Sequence, residues 1–512
     1  MIRRFSFPPQ EHRFSAGDSA PDPSTGRSWP VAAVDDEQGT IDLTVGPAYT
    51  GPLPTALIEA GPIDTRMLAD RLRELGERVA RGGAVGQDAA TALLRRLPPA
   101  SDSQPLRRPA ETATEAAIRL ATQLRRSYLP IQGPPGAGKT YTAAEQILEL
   151  TGGGRTVGIT GPSHAVIANL IGQVNQRATA RDAHPRIGQH ADAGQRHLHP
   201  SARPMTYDQI ERGLAAGDLD VAAGTAWMWA RPQLAGAVET LFVDEAGQLS
   251  LANVLALAGA ARNLVLVGDP QQLAQPSQAA HPPGAGVSAL EHVLGEHATM
   301  PAAAGLLIDT TWRMHPRLCR FTSETFYDGK LTGVDDLELQ EVLGQDPPHG
   351  AGLRILAVPH EGNTSASPEE AAQVARLVRK LTGREWRDKT GARHPLGPDQ
   401  ILVVTPYNAQ VRAIEEALGQ ADAPAGVRVG TVDKFQGREA AVAIYSMATS
   451  SAVQAPRGLE FLYDGRRLNV ATSRARALAI IVASPDLVRA ACRTPRQMEL
   501  VNALCQAWET GV

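Results

Sequence analysis

Residues 133–140 read GPPGAGKT, and their setting restricts the fold more than any other stretch of the chain. The string follows the apolar run YLPIQ (128–132) and precedes YTAAEQILEL (141–150), whose apolar residues recur at helical spacing. A glycine-rich turn between a strand and a helix curls backbone N–H groups round an anion at the helix N-terminus. In such a loop Gly133, Pro134, Pro135, Gly136, Ala137 and Gly138 shape the cradle. Lys139 adds a point charge, Thr140 is placed to ligate magnesium, and Tyr141 flanks them. ATP and Mg2+ are the ligands that this spacing predicts.

Further short apolar runs repeat the theme. TVGIT (156–160), TLFVDEA (240–246) and NLVLVGD (263–269) alternate with helical patterns. From residue 351 a second series begins with LRILAV, ILVVTP, VRVGTV, AVAIYSM and LAIIVAS, interleaved with EEAAQVARLVRKL and AQVRAIEEALG. Continuous apolar strands between helices predict α/β units whose parallel sheets are buried on both faces. We therefore expect a β-rich accessory unit over 1–62, a helical stalk and linker over 63–108, a first α/β unit over 109–302 and a second over 303–512. Residues 175–218 are polar, rich in His and Arg and poorly patterned, and read as an insertion in the first unit. His184, His190, His197 and His199 cluster there without a carboxylate or cysteine at diagnostic spacing, which favours a solvated or phosphate-contacting loop over a metal site.

Composition narrows the classes further. Cys319, Cys492 and Cys505 are far apart and odd in number, which speaks against a disulfide framework or a cysteine-rich metal site and for a reducing compartment. The start MIRRFSFPPQEH has no apolar core behind its arginines, and no run approaches the roughly 18 apolar residues that span a bilayer. A cytoplasmic protein without a membrane partner is expected. The net charge of -4 means that an anionic partner must be held by local basic patches. Only five of the 50 basic residues are lysines, so arginine counts alone carry little weight.

Asp244 and Glu245 close the apolar run LFVD, at the strand end where a doubly wound sheet places its ligands. Asp244 is suited to hold magnesium and Glu245 to polarise an attacking water. The next run ends in Asp269, and Gln272 just after it offers an amide that senses the terminal phosphate.

GPPGAGKT, DEAGQ, GDPQQL (268–273), WRMHP (312–316), TPYNAQ (405–410), GTVDKFQGRE (430–439) and RRLNVATSRAR (466–476) stand in the order of the superfamily 1 helicase motifs. Over roughly residues 110–490 the chain resembles that family. Within it the resemblance is to the 5′-to-3′ branch of the nonsense-mediated-decay helicase and the Dna-two replication helicase–nucleases. The resemblance implies two RecA-like domains in tandem with ATP at their seam, beside a small β-barrel-like unit and a helical stalk. It implies that Lys139, Glu245, Gln272, Arg313 and Arg474 are catalytic, the two arginines arriving from the second domain. Glu439 would hold the ribose, with Gly437 allowing close backbone approach, and Trp312 would either flank the adenine or pack internally. Ala116 stands where relatives carry an adenine-reading glutamine, Gly247 where serine is usual, and Thr472-Ser473 where Leu-Thr is usual.

Nucleic-acid contacts implied by the same resemblance are Thr160, Pro162, Ser163, Thr225, Thr405, Pro406 and Thr431, each also readable as a cap or turn former. Hydroxyls and amides at strand ends grip phosphates without reading bases. Trp227 and Trp229 read as core ahead of stacking platforms. The expected partner is single-stranded or forked DNA, ahead of RNA, bound without sequence preference. The resemblance covers the motor part of architectures that also carry a RecB-like nuclease, so a nuclease module or partner is expected outside this chain. Two other readings compete. One is a strand-stimulated ATPase that clamps or remodels complexes without unwinding. The other is a P-loop phosphotransferase, which leaves the second unit unexplained.

Overall fold

The computed structural model describes residues 1–7, 14, 16–35, 39–58, 64–82, 88–101, 104–191, 197–274, 281–282, 284–421, 423–435 and 437–511. Two parallel sheets dominate it. The first has eight strands in the order Leu306–Leu307, Tyr128–Gln132, Ala261–Gly268, Val238–Asp244, Val157–Thr160, Val221–Ala223, Ile187–His190 and Arg203–Met205. The second has five, in the order Gly352–Ala357, Ala475–Ala483, Ala440–Ser446, Ile401–Thr405 and Arg428–Thr431. All pairings within both are parallel.

The apolar runs are continuous because both faces of each sheet are covered. Along Val238–Asp244, Leu241 and Val243 pack into one core while Phe242 between them packs into the other. Leu402 and Val404 in the second sheet face one core, and Ile401 and Val403 the opposite one. Alternation of side chains across a strand thus feeds two cores, and no polar face is left to show in the sequence. Helices start where the sequence supplies caps. Thr112 and Glu115 close a capping box before Ala113–Gln123, and Ser367 with Pro368 opens Pro368–Leu381.

Two expectations need correction. The segment 175–218 is no separate insertion: strands Ile187–His190 and Arg203–Met205 extend the first sheet, and helix Tyr207–Ala215 packs beside them. These strands are four and three residues long, and His190 stacks on Tyr207 with ring centroids 3.8 Å apart, so no apolar run announces them. The second unit begins later than residue 303, since Leu306–Leu307 pairs with Tyr128–Gln132. The boundary at 62–63 falls outside the described residues, as do 192–196 of the supposed insertion.

The accessory unit is, among the described residues, a four-stranded antiparallel sheet in the order Ile2–Ser6, Thr40–Thr44, Ser28–Asp35, Ser19–Pro21, closed over Trp29, Ile41 and Leu43. Helix Arg66–Ala80 packs Leu68 and Leu75 into the first unit's core beside helix Leu251–Leu257. Among the described residues no helix is long and apolar enough to cross a membrane, and no group of His, Cys, Asp and Glu is arranged to hold a metal ion as a cluster.

Candidate nucleotide site

Strands Tyr128–Gln132, Val238–Asp244 and Ala261–Gly268 end side by side, and their carboxyl ends carry the loop 133–140, the pair Asp244–Glu245 and the segment Asp269–Gln272. The loop turns through Gly136 and Gly138, both at positive φ, and Gly138 caps helix Lys139–Gly152. At Gly133 the reason for glycine is space: a Cβ would lie 2.2 Å from Cγ of Lys139, whose Nζ donates to the Gly133 carbonyl at 2.8 Å.

Asp244 is buried. Burial first, and then the neighbouring Glu245, push its carboxyl up to about 7, while Lys139 pulls the other way. Glu245 sits at φ 52°, a strained conformation for a residue with a side chain. Its backbone N–H donates to Asp244 Oδ1 at 3.0 Å, which orients the Asp244 carboxylate. Gln272 Nε2 donates to Asp269 Oδ2 at 2.8 Å.

The second unit closes over this edge. Thr311 Oγ1 donates to the Pro135 carbonyl at 2.9 Å and the Trp312 N–H donates to Gly136 O at 2.9 Å, so the WRMHP segment is tied directly to the phosphate loop. A Cβ on Gly136 would lie 2.4 Å from Cβ of Arg313. Arg474 and Glu439 immediately precede strands Ala475–Ala483 and Ala440–Ser446, at the amino ends of the second sheet. Arg313 donates from Nε to Glu439 Oε2 at 2.6 Å and from Nη1 to Ser473 O at 3.3 Å. Arg474 is buried; Nη1 donates to Arg438 O at 3.3 Å, while Nε and Nη2 find no partner among the described residues. Burial first and the cationic neighbour Arg313 next bring its guanidinium down to about 9, against the pull of Glu245 and Glu439. A buried guanidinium with two unspent donors, next to Arg313 on the loop and within electrostatic reach of Glu245, fits an anion that delivers oxygens to it. The residues present therefore suit a nucleoside triphosphate, with Thr140 and Asp244 available to a divalent ion.

Glu439, assigned to the ribose, accepts from Arg313 through Oε2. Gly437 has open space beside it and a φ of 78°, which calls for glycine. Trp312 is 58% exposed, which removes the packing alternative and leaves the ring available to a base. Tyr141 is exposed too, with the Arg177 guanidinium 5.0 Å from its ring centroid. Ala116 is fully buried in helix Ala113–Gln123 and offers nothing to a base.

The structure also joins residues that no motif spacing reveals. Tyr327 Oη donates to Asp269 Oδ2 at 2.6 Å and accepts from Asn469 Nδ2 at 2.9 Å, and the same Nδ2 donates to Gln271 O at 2.8 Å. Asp269 and the two glutamines belong to the first unit, Tyr327 and Asn469 to the second. Burial and the Asp269 carboxylate hold the Tyr327 phenol well above its ordinary value, so it stays a donor. Asn469 lies inside the RRLNVATSRAR motif, which was the available signal; Tyr327 had none.

The implied nucleic-acid residues divide. Thr160 ends strand Val157–Thr160 and Thr405 ends Ile401–Thr405, equivalent places in the two sheets, yet both hydroxyls are buried without a partner among the described residues. Ser163 is exposed and caps helix His164–Ala180 by accepting from the Val166 N–H, and Thr225 begins helix Ala226–Trp229. Pro162 is half-buried, Pro406 buried, and Thr431 ends Arg428–Thr431 with 9% exposure. In the second sheet Thr405 and Thr431 stand at the carboxyl ends, opposite the end that presents Arg474. Trp229 is core, its Nε1 donating to Ile159 O at 3.0 Å, and Trp227 Nε1 donates to Asp64 O at 3.2 Å. Among the four histidines, His184 lies beside Asp182 at the surface and His199 hydrogen-bonds Ser201.

Comparison with known proteins gives matches over the same region. Two family models, each described as an AAA domain, match residues 111–282 and 286–486. The chain is 27% identical over 317 residues to the probable helicase MAGATAMA 3 of Arabidopsis thaliana, covering 56% of this chain and 37% of that protein. It is 27% identical over 414 residues to the regulator of nonsense transcripts 1 homolog of Drosophila melanogaster, covering 71% of this chain and 34% of that one. The chain thus spans roughly a third of the length of these relatives. Among solved structures it is similar to the Arterivirus nonstructural protein 10 helicase, with a TM-score of 0.43 at 14% identity over 98% of this chain and 78% of that one.

Proposed function

We propose that this chain, which belongs to the superfamily 1 helicases in the branch of the nonsense-transcript regulators, is an ATP-driven motor. It moves 5′-to-3′ along single-stranded nucleic acid, DNA ahead of RNA, and separates strands as it moves. The observation that carries this reading is Arg474. At the end of one sheet a guanidinium is buried with two donors unpartnered among the described residues, within electrostatic reach of Glu245 in the other unit, and this arrangement supports a catalytic use.

In this reading Lys139, Arg313 and Arg474 neutralise charge that gathers on the γ-phosphoryl oxygens, and Glu245 takes the proton of the attacking water. Mg2+ held by Thr140 and Asp244 would supply further neutralisation on the phosphates. Because the cations come from two units, hydrolysis needs them together, and the Asp269–Tyr327–Asn469 bridge links that contact to the position of Gln272. Phosphate-directed grip at the carboxyl ends of both sheets makes movement indifferent to sequence.

The test is ATP turnover titrated with single-stranded DNA and with RNA at two salt concentrations, together with unwinding of duplexes carrying a 5′ or a 3′ tail. Stimulation by either strand, weakening with salt, and unwinding from the 5′ tail alone are expected. Stimulated turnover without unwinding favours a clamp, and turnover indifferent to any oligonucleotide refutes the motor.

A further inference from the structure

A cleft of about 760 Å³ is lined by none of the nucleotide-site residues. It lies between strand Gly352–Ala357, helix Pro368–Leu381 and the loop 347–349. That strand is at the edge of its sheet: it pairs with Ala475–Ala483 on one side and, among the described residues, with no strand on the other. Its outer edge therefore presents backbone N–H and C=O groups in a row. Arg354, Ile355 and Leu356 all line the cleft, although successive side chains alternate between faces, so what they share toward it is that free edge.

The floor is apolar, made by Leu356, Leu377 and Ile480. The rim is cationic, made by Arg354, Arg376, Arg379 and Lys380, and no acidic residue lines the cleft. None of these four forms an ion pair among the described residues; Arg354 spends Nη1 on its neighbour's carbonyl, Leu353 O, at 3.0 Å. Burial, and to a lesser degree the adjacent guanidinium of Arg317, lower the Arg354 pKa from its ordinary value. In a chain of net charge -4 this concentration is local and strong. No Trp, Tyr or Phe lines the cleft, whose one ring is the His349 imidazole, so it lacks the large stacking platforms that hold single-stranded bases. A free strand edge over an apolar floor is what an extended peptide uses.

We propose that this cleft binds an extended acidic segment of a partner protein, which adds to the free edge of Gly352–Ala357. Its alternate apolar side chains lie on Leu377 and Ile480, and its carboxylates meet Arg354, Arg376, Arg379 and Lys380. The site stands apart from the nucleotide machinery and does not depend on the motor reading.

The probe is a short fluorescein-labelled peptide alternating Glu or Asp with Leu or Val, titrated into the whole chain by fluorescence anisotropy. A second copy carries N-methyl groups on alternate backbone amides, and a single-stranded oligonucleotide serves as competitor. We expect micromolar binding that weakens by about tenfold or more in Arg376→Glu/Lys380→Glu, a loss of about 1.4 kcal/mol or more. Both side chains are exposed, so the variant should fold, and its strand-stimulated ATP turnover should equal the parent's. The N-methylated copy should not bind. Equal affinity for parent and variant, equal affinity of the N-methylated copy, or no binding to the parent overturns the proposal. So does a fall in oligonucleotide affinity in the variant without peptide binding, which makes the cleft part of a strand's path.

Discussion

A Cβ at position 247 would lie 2.6 Å from the carbonyl oxygen of Asp269, and that contact is backbone, so nothing flexible can give way. Serine at this position, usual in the resembled family, is therefore expected to destabilise this chain. Gly247→Ser should cost about 1–3 kcal/mol and lower the thermal midpoint, and an unchanged midpoint refutes the contact. Asp244 carries the opposite kind of strain, electrostatic rather than steric. With its carboxyl raised to about 7 in the fold, the folded protein keeps a proton that the unfolded chain releases near pH 4. Ionisation then costs stability that grows as pH rises from about 4 to about 7, on the order of 1 kcal/mol per unit. Asp244→Asn removes the cost, so without nucleotide or divalent ion its gain in melting midpoint should be larger at pH 8 than at pH 5. A pH-independent gain would contradict the assignment. Glu245→Gln should keep nucleotide binding and lose turnover by roughly 10²–10⁴-fold, read by nucleotide affinity alongside single-turnover hydrolysis.

Between elements, the informative object is the bridge from Asp269 through Tyr327 to Asn469. It joins the loop after Ala261–Gly268 to the end of helix Pro316–Phe326 and to helix Gly465–Thr472. Tyr327→Phe keeps the ring and deletes the donor, leaving the Asp269 carboxylate and the Asn469 amide buried and short of a partner. The expected cost is about 1–3 kcal/mol in stability. Because Asp269 also holds Gln272, kcat should fall while the KM for ATP changes little. A change confined to stability would make the tyrosine structural only.

For the whole molecule, the contact between the two sheets trades stability for chemistry. Arg474 is buried with two unspent donors and a pKa of about 9, below its ordinary value. An apolar replacement of similar length relieves that cost, so Arg474→Met should raise the melting midpoint of the nucleotide-free protein while turnover falls on the order of 10³-fold. A variant that is both less stable and inactive would show the arginine to be a structural strut. Arg313, paired with Glu439, should behave differently, since its removal leaves that carboxylate half-exposed without its partner.

Much of this was legible in one dimension. Continuous apolar runs mark parallel strands buried on both faces, since periodicity is local physics, and the loop at 133–140 declares its anion because glycine and lysine spacing is local as well. Asp244, Glu245 and Gln272 follow from their place at strand ends. The short strands Ile187–His190 and Arg203–Met205 stayed hidden because so few residues carry no period. Tertiary structure alone decided that Glu439 meets Arg313, that Thr160 and Thr405 turn their hydroxyls inward, that Tyr327 closes a bridge between units, and that four cations ring an open strand edge. Each of these depends on which distant segments pack together, and the energy that selects such partners is set by burial and distance in space, which sequence separation does not encode.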